Sequence, residues 1–208
     1  NPAWYAVQSL PYLAEYPYEC SEQVFSRLYA NSVSSLIISA NPEINRIYKL
    51  WQEKGDVLIS NLEKNQELKQ ILLQETPWVM EAKTETEQKR RIAILFDTNR
   101  INSEKESAIK KLQEKQYGNG GFPWFKGMEP NQYITRHITA GFGKMKKMGI
   151  PEDSRVTEMM KKSVSYLDYN MNEEYKEIKE KIKYHISYSD IHYLYARSFY
   201  LDKTISSE

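Results

Sequence analysis

Cysteine is nearly absent from this chain: Cys20 is the only one in 208 residues. A single thiol excludes an internal disulfide framework and any zinc site built on several cysteines. Glycine and proline are scarce, at 8 each, which excludes collagen-like and low-complexity chains. Charge of one sign is also lacking. The 29 basic and 28 acidic side chains leave a net charge of +1, so no positive surplus exists for phosphate backbones or anionic lipid. No nucleic-acid partner and no direct membrane contact are expected, because the basic runs are short and no apolar run approaches a membrane span. The chain opens on Asn-Pro-Ala-Trp, without an initiator Met or a signal peptide, and reads as a piece of something longer.

What is present is apolar and aromatic. Hydrophobic residues make up 40%, enough for a globular core rather than a disordered chain. Tyrosine is unusually abundant, at 16 beside 4 Trp and 6 Phe. Rings of this kind fill a core or line a groove, and the tyrosine hydroxyl tolerates a wet edge.

The periodicity is helical nearly throughout. After Cys20, apolar residues fall at Val24, Phe25, Leu28, Val33, Leu36, Ile37 and Ala40, and Asn41-Pro42 ends the stripe. Further helices are expected over residues 44–51, 56–74 and 84–97. Asn102-Ser103 is read as the cap of a helix through Gln116 that buries Ile109 and Leu112. Residues 117–130, YGNGGFPWFKGMEP, are Gly-rich and read as an ordered aromatic loop. Helices are expected again over 132–148 and 152–170, then a charged, solvated helix over 171–185. A last helix is capped by Ser189 and carries Ile191, Leu194 and Phe199. No strand pattern is legible. Short connections between successive helices favour antiparallel pairs, hence an all-α stack in one domain over residues 1–208.

The stretch YPYECSEQVFSRLYANS, residues 16–32, carries the chemistry. With a helix beginning at Cys20, the N-cap and N3 side chains face each other as in a capping box. Here they are the thiol of Cys20 and the carboxamide of Gln23. Unpaired first-turn amides and the positive end of the helix dipole favour a thiolate. They also stabilise the oxyanion formed if sulfur attacks the Gln23 carbonyl. Loss of ammonia would leave an internal thioester, and proximity makes that ring closable. A thioester needs a dry site; Tyr16, Pro17, Tyr18, Phe25 and the loop rings Phe122, Trp124 and Phe125 are the candidate cover. Once exposed, the acyl carbon of Gln23 would be captured by an external amine or hydroxyl, once and without turnover. Taken alone, the residues are better served by a buried cysteine acting as a small hydrophobe. Glu22 serves either as first-turn charge or as a group orienting Gln23.

The YPYECSEQ segment resembles the thioester signature of the alpha-2-macroglobulin and complement family, Cys-x-Glu-Gln after a Tyr- and Pro-containing lead. NPAWYAVQSLPYL, QETPWVMEAKTETEQKRRIAILFD, YGNGGFPWFKG and YITRHITAGFGKM resemble the bacterial branch of that family, of Bacteroides type. The resemblance covers essentially the whole chain. It implies a thioester-containing domain, an α/α toroid of paired helices incomplete at its C-terminal end, in a periplasmic or envelope protease inhibitor. It further implies covalent capture of a protease lysine by the Cys20–Gln23 bond after a bait segment elsewhere is cut. Other domains of the same chain would be its remaining partners, and no cofactor or metal is implied. Many relatives have Gly before the Cys; Glu19 stands there in this chain, placing a negative charge beside the thiol. Separated from its neighbours, the segment is expected to hold Cys20 as a free thiol.

Of the three histidines, His137 in YITRHI is the candidate for taking over the acyl group, set against an ordinary groove or surface histidine. His192 and Asp190, two residues apart, do not share a helix face and make no metal pair. The run Lys144-Met145-Lys146-Lys147 reads as a solvated face. Two other classes stay open. A helical-toroid enzyme acting on glycans would need two carboxylates across an aromatic cleft. A binding scaffold would keep the fold and show no amine adduct.

Overall fold

The computed structural model describes residues 6, 9–10, 13, 19–41, 43, 46, 98–179 and 185–204. Among these residues the structure is helical, with no strand. Its helices are α1 (Ser21–Ala40), α2 (Thr98–Lys115), α3 (Gln132–Lys147), α4 (Ser154–Lys179) and α5 (Tyr188–Arg197). The helices expected over 44–51, 56–74 and 84–97 lie outside the described residues.

The chain divides into two compact units: residues 1–16 with 30–105, and residues 17–29 with 106–208. In the first, the second half of α1 carries an unusually polar interior. Asn31, Ser32 and Ser34 are buried, whereas Val33, Leu36 and Ile37 are only half-buried and Ala40 is exposed. Asn31 and Ser34 have partners, whereas the buried Ser32 hydroxyl has none among the described residues. Asn31 donates to Glu104 at 2.9 Å, Glu104 also accepts from Arg100 at 2.6 Å, and Ser34 donates to the carbonyl of Ala30 at 2.8 Å. Paired in this way, buried polar side chains avoid most of their desolvation cost.

The second unit holds the larger described core. Val24, Phe25, Leu28, Leu112, Phe122, Ile134, Ile138, Met160 and Val164 are all buried there. Close packing depends on two glycines of α3. A Cβ on Gly141 would lie 2.1 Å from the Phe25 ring, and one on Gly143 would lie 2.4 Å from Phe199. Phe25 cannot easily yield, being buried and edge-packed on Phe142 at 5.1 Å. The clash therefore outweighs the gain of about 1 kcal/mol in helix propensity that alanine offers. Gly141→Ala is expected to destabilise by about 1–3 kcal/mol. Urea unfolding would show it as a lower midpoint at unchanged slope; an unshifted or raised midpoint would contradict this packing.

Three expected boundaries move. Helix α2 already includes Thr98, so Asn102 and Ser103 lie inside it rather than capping it. Buried Ile101 extends the stripe of Ala108, Ile109 and Leu112 back by two turns. The helix expected over 152–170 continues through Lys179 as one element, and residues 180–184 lie outside the description. Helix α5 is capped by Ser187, not Ser189. The Ser187 hydroxyl accepts from the Asp190 amide at 3.3 Å, and the Asp190 carboxylate accepts from the Ser187 amide at 2.7 Å. The Ser189 hydroxyl is instead taken by the guanidinium of buried Arg136 at 2.5 Å. The face of α5 is also corrected. Ile191 and Leu194 are exposed, and the buried side chains are Asp190, Tyr193, Ala196 and Arg197.

Candidate functional site

Cys20 immediately precedes the first residue of α1 and is 4% exposed. The amide of Gln23 donates to the Cys20 sulfur at 3.4 Å, and the amide of Cys20 donates to Gln23 Oε1 at 3.4 Å. This is the reciprocal pattern of a capping box, with thiol and carboxamide in place of hydroxyl and carboxylate. The structure thus brings the two predicted groups together at the opening turn. The Cys20 N–H already points at the oxygen that would carry negative charge if sulfur added to the Gln23 carbonyl carbon. The first-turn amides are not all unpaired, as the sequence suggested, since the Ser21 amide donates to the carbonyl of Trp124 at 2.9 Å.

That bond ties the helix start to the aromatic loop, and the loop is well held. The Phe122 amide donates to the Thr135 hydroxyl at 2.8 Å, and the Phe122 carbonyl accepts from the Asn131 amide at 2.8 Å. Gln116 Nε2 reaches the Gly120 carbonyl at 3.1 Å, the Met159 carbonyl at 2.9 Å and the Ser163 hydroxyl at 3.0 Å. Gly120 has φ +93°, and a Cβ there would lie 2.2 Å from the carbonyl oxygen of Lys162. Only glycine combines that conformation with that approach.

The expected aromatic cover is only partly realised. Phe122 is fully buried, because both its backbone groups are drawn onto the start of α3. Trp124 is 36% exposed and Phe125 is 53% exposed. Phe125 lies at the loop tip, where the Met128 amide closes a turn onto its carbonyl at 3.1 Å, so its ring is no shield. Tyr16, Pro17 and Tyr18 lie outside the described residues. Phe25 is buried, packed edge-on against His137 with centroids 5.8 Å apart.

Glu22 has a different partner from the one its position between the reacting groups suggested. Its carboxylate accepts from the Ser26 hydroxyl at 2.8 Å, one turn on. His137 is half-buried, set between Phe25 and Tyr133, whose ring is nearly parallel to it at 6.5 Å. The described residues show no hydrogen bond from His137 to Cys20 or Gln23. The ring series continues from Tyr133 to Trp124 at 6.1 Å and to His192 at 5.5 Å. Its i, i+4 spacing on α3 was legible in the sequence; its extension to the loop and to α5 was not.

Burial pushes the His137 imidazole below the usual value of 6.5, with nearby Glu22 opposing and Lys144 reinforcing the shift. Burial does the same to His192, helped by Arg136, His137 and Lys144. The unfolded chain therefore takes up protons near pH 6.5 that the folded chain resists. This contribution to stability is full above that pH and is lost as pH falls below it. Urea midpoints are expected to drop between about pH 7 and pH 5, with a shallower drop in the His137→Gln, His192→Gln variant. Equal slopes for the two proteins would contradict the assignment.

Sequence reasoning missed the environment of Glu19. Its carboxylate is bonded to Lys111 of α2 and lies 3.5 Å from Arg27 of α1. The Lys111 ammonium holds it below the usual carboxylate range against the opposing effect of burial, helped by the charge of Arg27. The negative charge next to the thiol is thus matched by two cations on adjacent helices. No group of metal-binding side chains occurs among the described residues, and no described helix is long and apolar enough to cross a membrane. No family model matches the chain, and neither does any curated protein or solved structure.

Proposed function

We propose that this chain is the thioester domain of a bacterial macroglobulin-like protease inhibitor, its helices belonging to an α/α toroid incomplete at the C-terminal end. The reading rests on one observation, the reciprocal 3.4 Å contacts of Cys20 and Gln23 at the first turn of α1. The chemistry balances without a cofactor. The Cys20 thiol loses its proton and its sulfur bonds to the Gln23 carboxamide carbon. The oxygen carries the transient negative charge beside the Cys20 amide. Collapse expels ammonia, which leaves with the thiol proton, and a thioester remains. A lysine amine of a protease later attacks the same carbon, forms an amide and returns the thiol to Cys20. Each molecule acts once, so this is capture rather than turnover, and bait cleavage elsewhere in the protein would trigger it. The periplasm or cell envelope is the compartment that such a role implies.

The test is intact mass and peptide mapping of the full-length protein with and without methylamine. Expected is a single methylamine adduct at Gln23 accompanied by one newly titratable thiol. A free Cys20, an unmodified Gln23 and no adduct would remove the mechanism.

A further inference from the structure

The lysine run of α3 is more than a solvated face. Lys144, Lys146 and Lys147 line a cleft of about 630 Å³ together with Tyr29, Tyr195 and Phe199. Lysines in a last helical turn complement the helix dipole, which accounts for their charge but not for the aromatic hollow beside them. That hollow is built in. Gly143 lacks the Cβ that would strike Phe199, so the Phe199 ring lies against α3. Tyr195 meets Phe199 edge-on at 5.3 Å.

Among the described residues, no acidic side chain lines the cleft. Lys146 is matched by Glu152 at 3.8 Å. Lys144 stands 5.4 Å from the centre of the Tyr195 ring, and Lys147 makes no ion pair among the described residues. Because the chain as a whole is nearly neutral, this positive charge is a local feature. The volume falls within the range of small-molecule sites, roughly 300–1,000 Å³. Apolar rings select an apolar body and lysines select an anionic head.

We propose that this cleft binds a small amphiphilic carboxylate, an acyl-chain acid whose tail lies on Tyr195 and Phe199 and whose head meets Lys144 and Lys147. The site is separate from the Cys20–Gln23 pair, and its test does not depend on thioester formation.

The experiment titrates the full chain with decanoate, following amide chemical shifts of α3 and α5, with acetate and decanol as controls. Decanoate is expected to saturate one site and to bind at least about tenfold more tightly than either control. Lys144→Gln with Lys147→Gln is expected to weaken it about tenfold, as two partly exposed ion pairs allow, at unchanged helix content. Gly143→Ala, which displaces Phe199, is expected to weaken it as well. Acetate binding as well as decanoate would reduce the site to bare ion pairing, and decanol binding as well would reduce it to an apolar surface; either overturns the proposal. So would unchanged decanoate affinity in the double lysine variant. Sedimentation with phosphatidylglycerol vesicles without decanoate binding would overturn it too, by assigning the lysines to a membrane surface.

Discussion

Cys20→Ser is expected to abolish methylamine incorporation at Gln23 while leaving the fold intact. Serine is among the best N-cap residues, so the opening turn of α1 keeps an acceptor for the Gln23 amide now held by sulfur at 3.4 Å. The nucleophile, however, is gone. The oxygen of serine stays protonated at neutral pH and makes a poor leaving group, so neither ring closure nor transfer proceeds. Intramolecular placement is worth effective concentrations on the order of 10⁵–10⁸ M. Serine keeps that placement but not the thiolate that exploits it, so the substitution reads as complete loss of adduct rather than a modest slowing. Gln23→Ala should also lose the adduct, but with Cys20 left as a thiol that alkylating reagents can titrate once the protein is unfolded. Adduct persisting at residue 23 of the serine variant would mean that another group activates the carboxamide, and the proposed function would fall with it.

The second large effect concerns Arg197, which is 3% exposed. Its Nε donates to Asp168 at 3.0 Å, one terminal nitrogen is bonded to the Tyr200 carbonyl, and the other reaches the Lys203 carbonyl at 2.6 Å. Asp168 also accepts from the Tyr193 hydroxyl at 2.8 Å. Burial, with the Asp168 carboxylate beside it, pushes the Tyr193 phenol up to about 12. Arg197→Met leaves the carboxylate without its cation, the Lys203 carbonyl without the guanidinium donor, and the Tyr200 carbonyl with only the Lys203 amide at 3.3 Å. The expected cost is about 3–5 kcal/mol, which in a chain of this size lowers Tm by roughly 10 °C. Asp168→Asn, Arg197→Met should cost less than the two single changes added, because both act on one network. A single-variant cost below about 1 kcal/mol, or strict additivity, would show that the cluster is not a coupled unit.

How much of this was legible in the sequence differs from element to element. Helix α1 was read almost to the residue, because a continuous apolar stripe and Asn41-Pro42 mark its body and end. The non-helical loop was read from its glycines, and the pairing of Cys20 with Gln23 from their spacing alone. All of these signals are local. What escaped depends on residues distant in the chain. Ser189 looked like a cap until Arg136 claimed its hydroxyl, and Ile191 and Leu194 looked like core until α5 turned Tyr193 and Arg197 inward. Phe125 looked like cover for the thiol, yet the Met128 turn sets it at the loop tip. The charge on Glu19 looked uncompensated because Lys111 lies on another helix. Local patterns specify elements, whereas faces and partners are decided by packing.

The bond from the Ser21 amide to the Trp124 carbonyl has a consequence for biosynthesis. The first turn of α1 is translated before the loop whose Trp124 carbonyl completes its hydrogen bonding. In the proposed mechanism a ring closed before the aromatic loop docks would meet water and be lost, so closure is expected to follow docking.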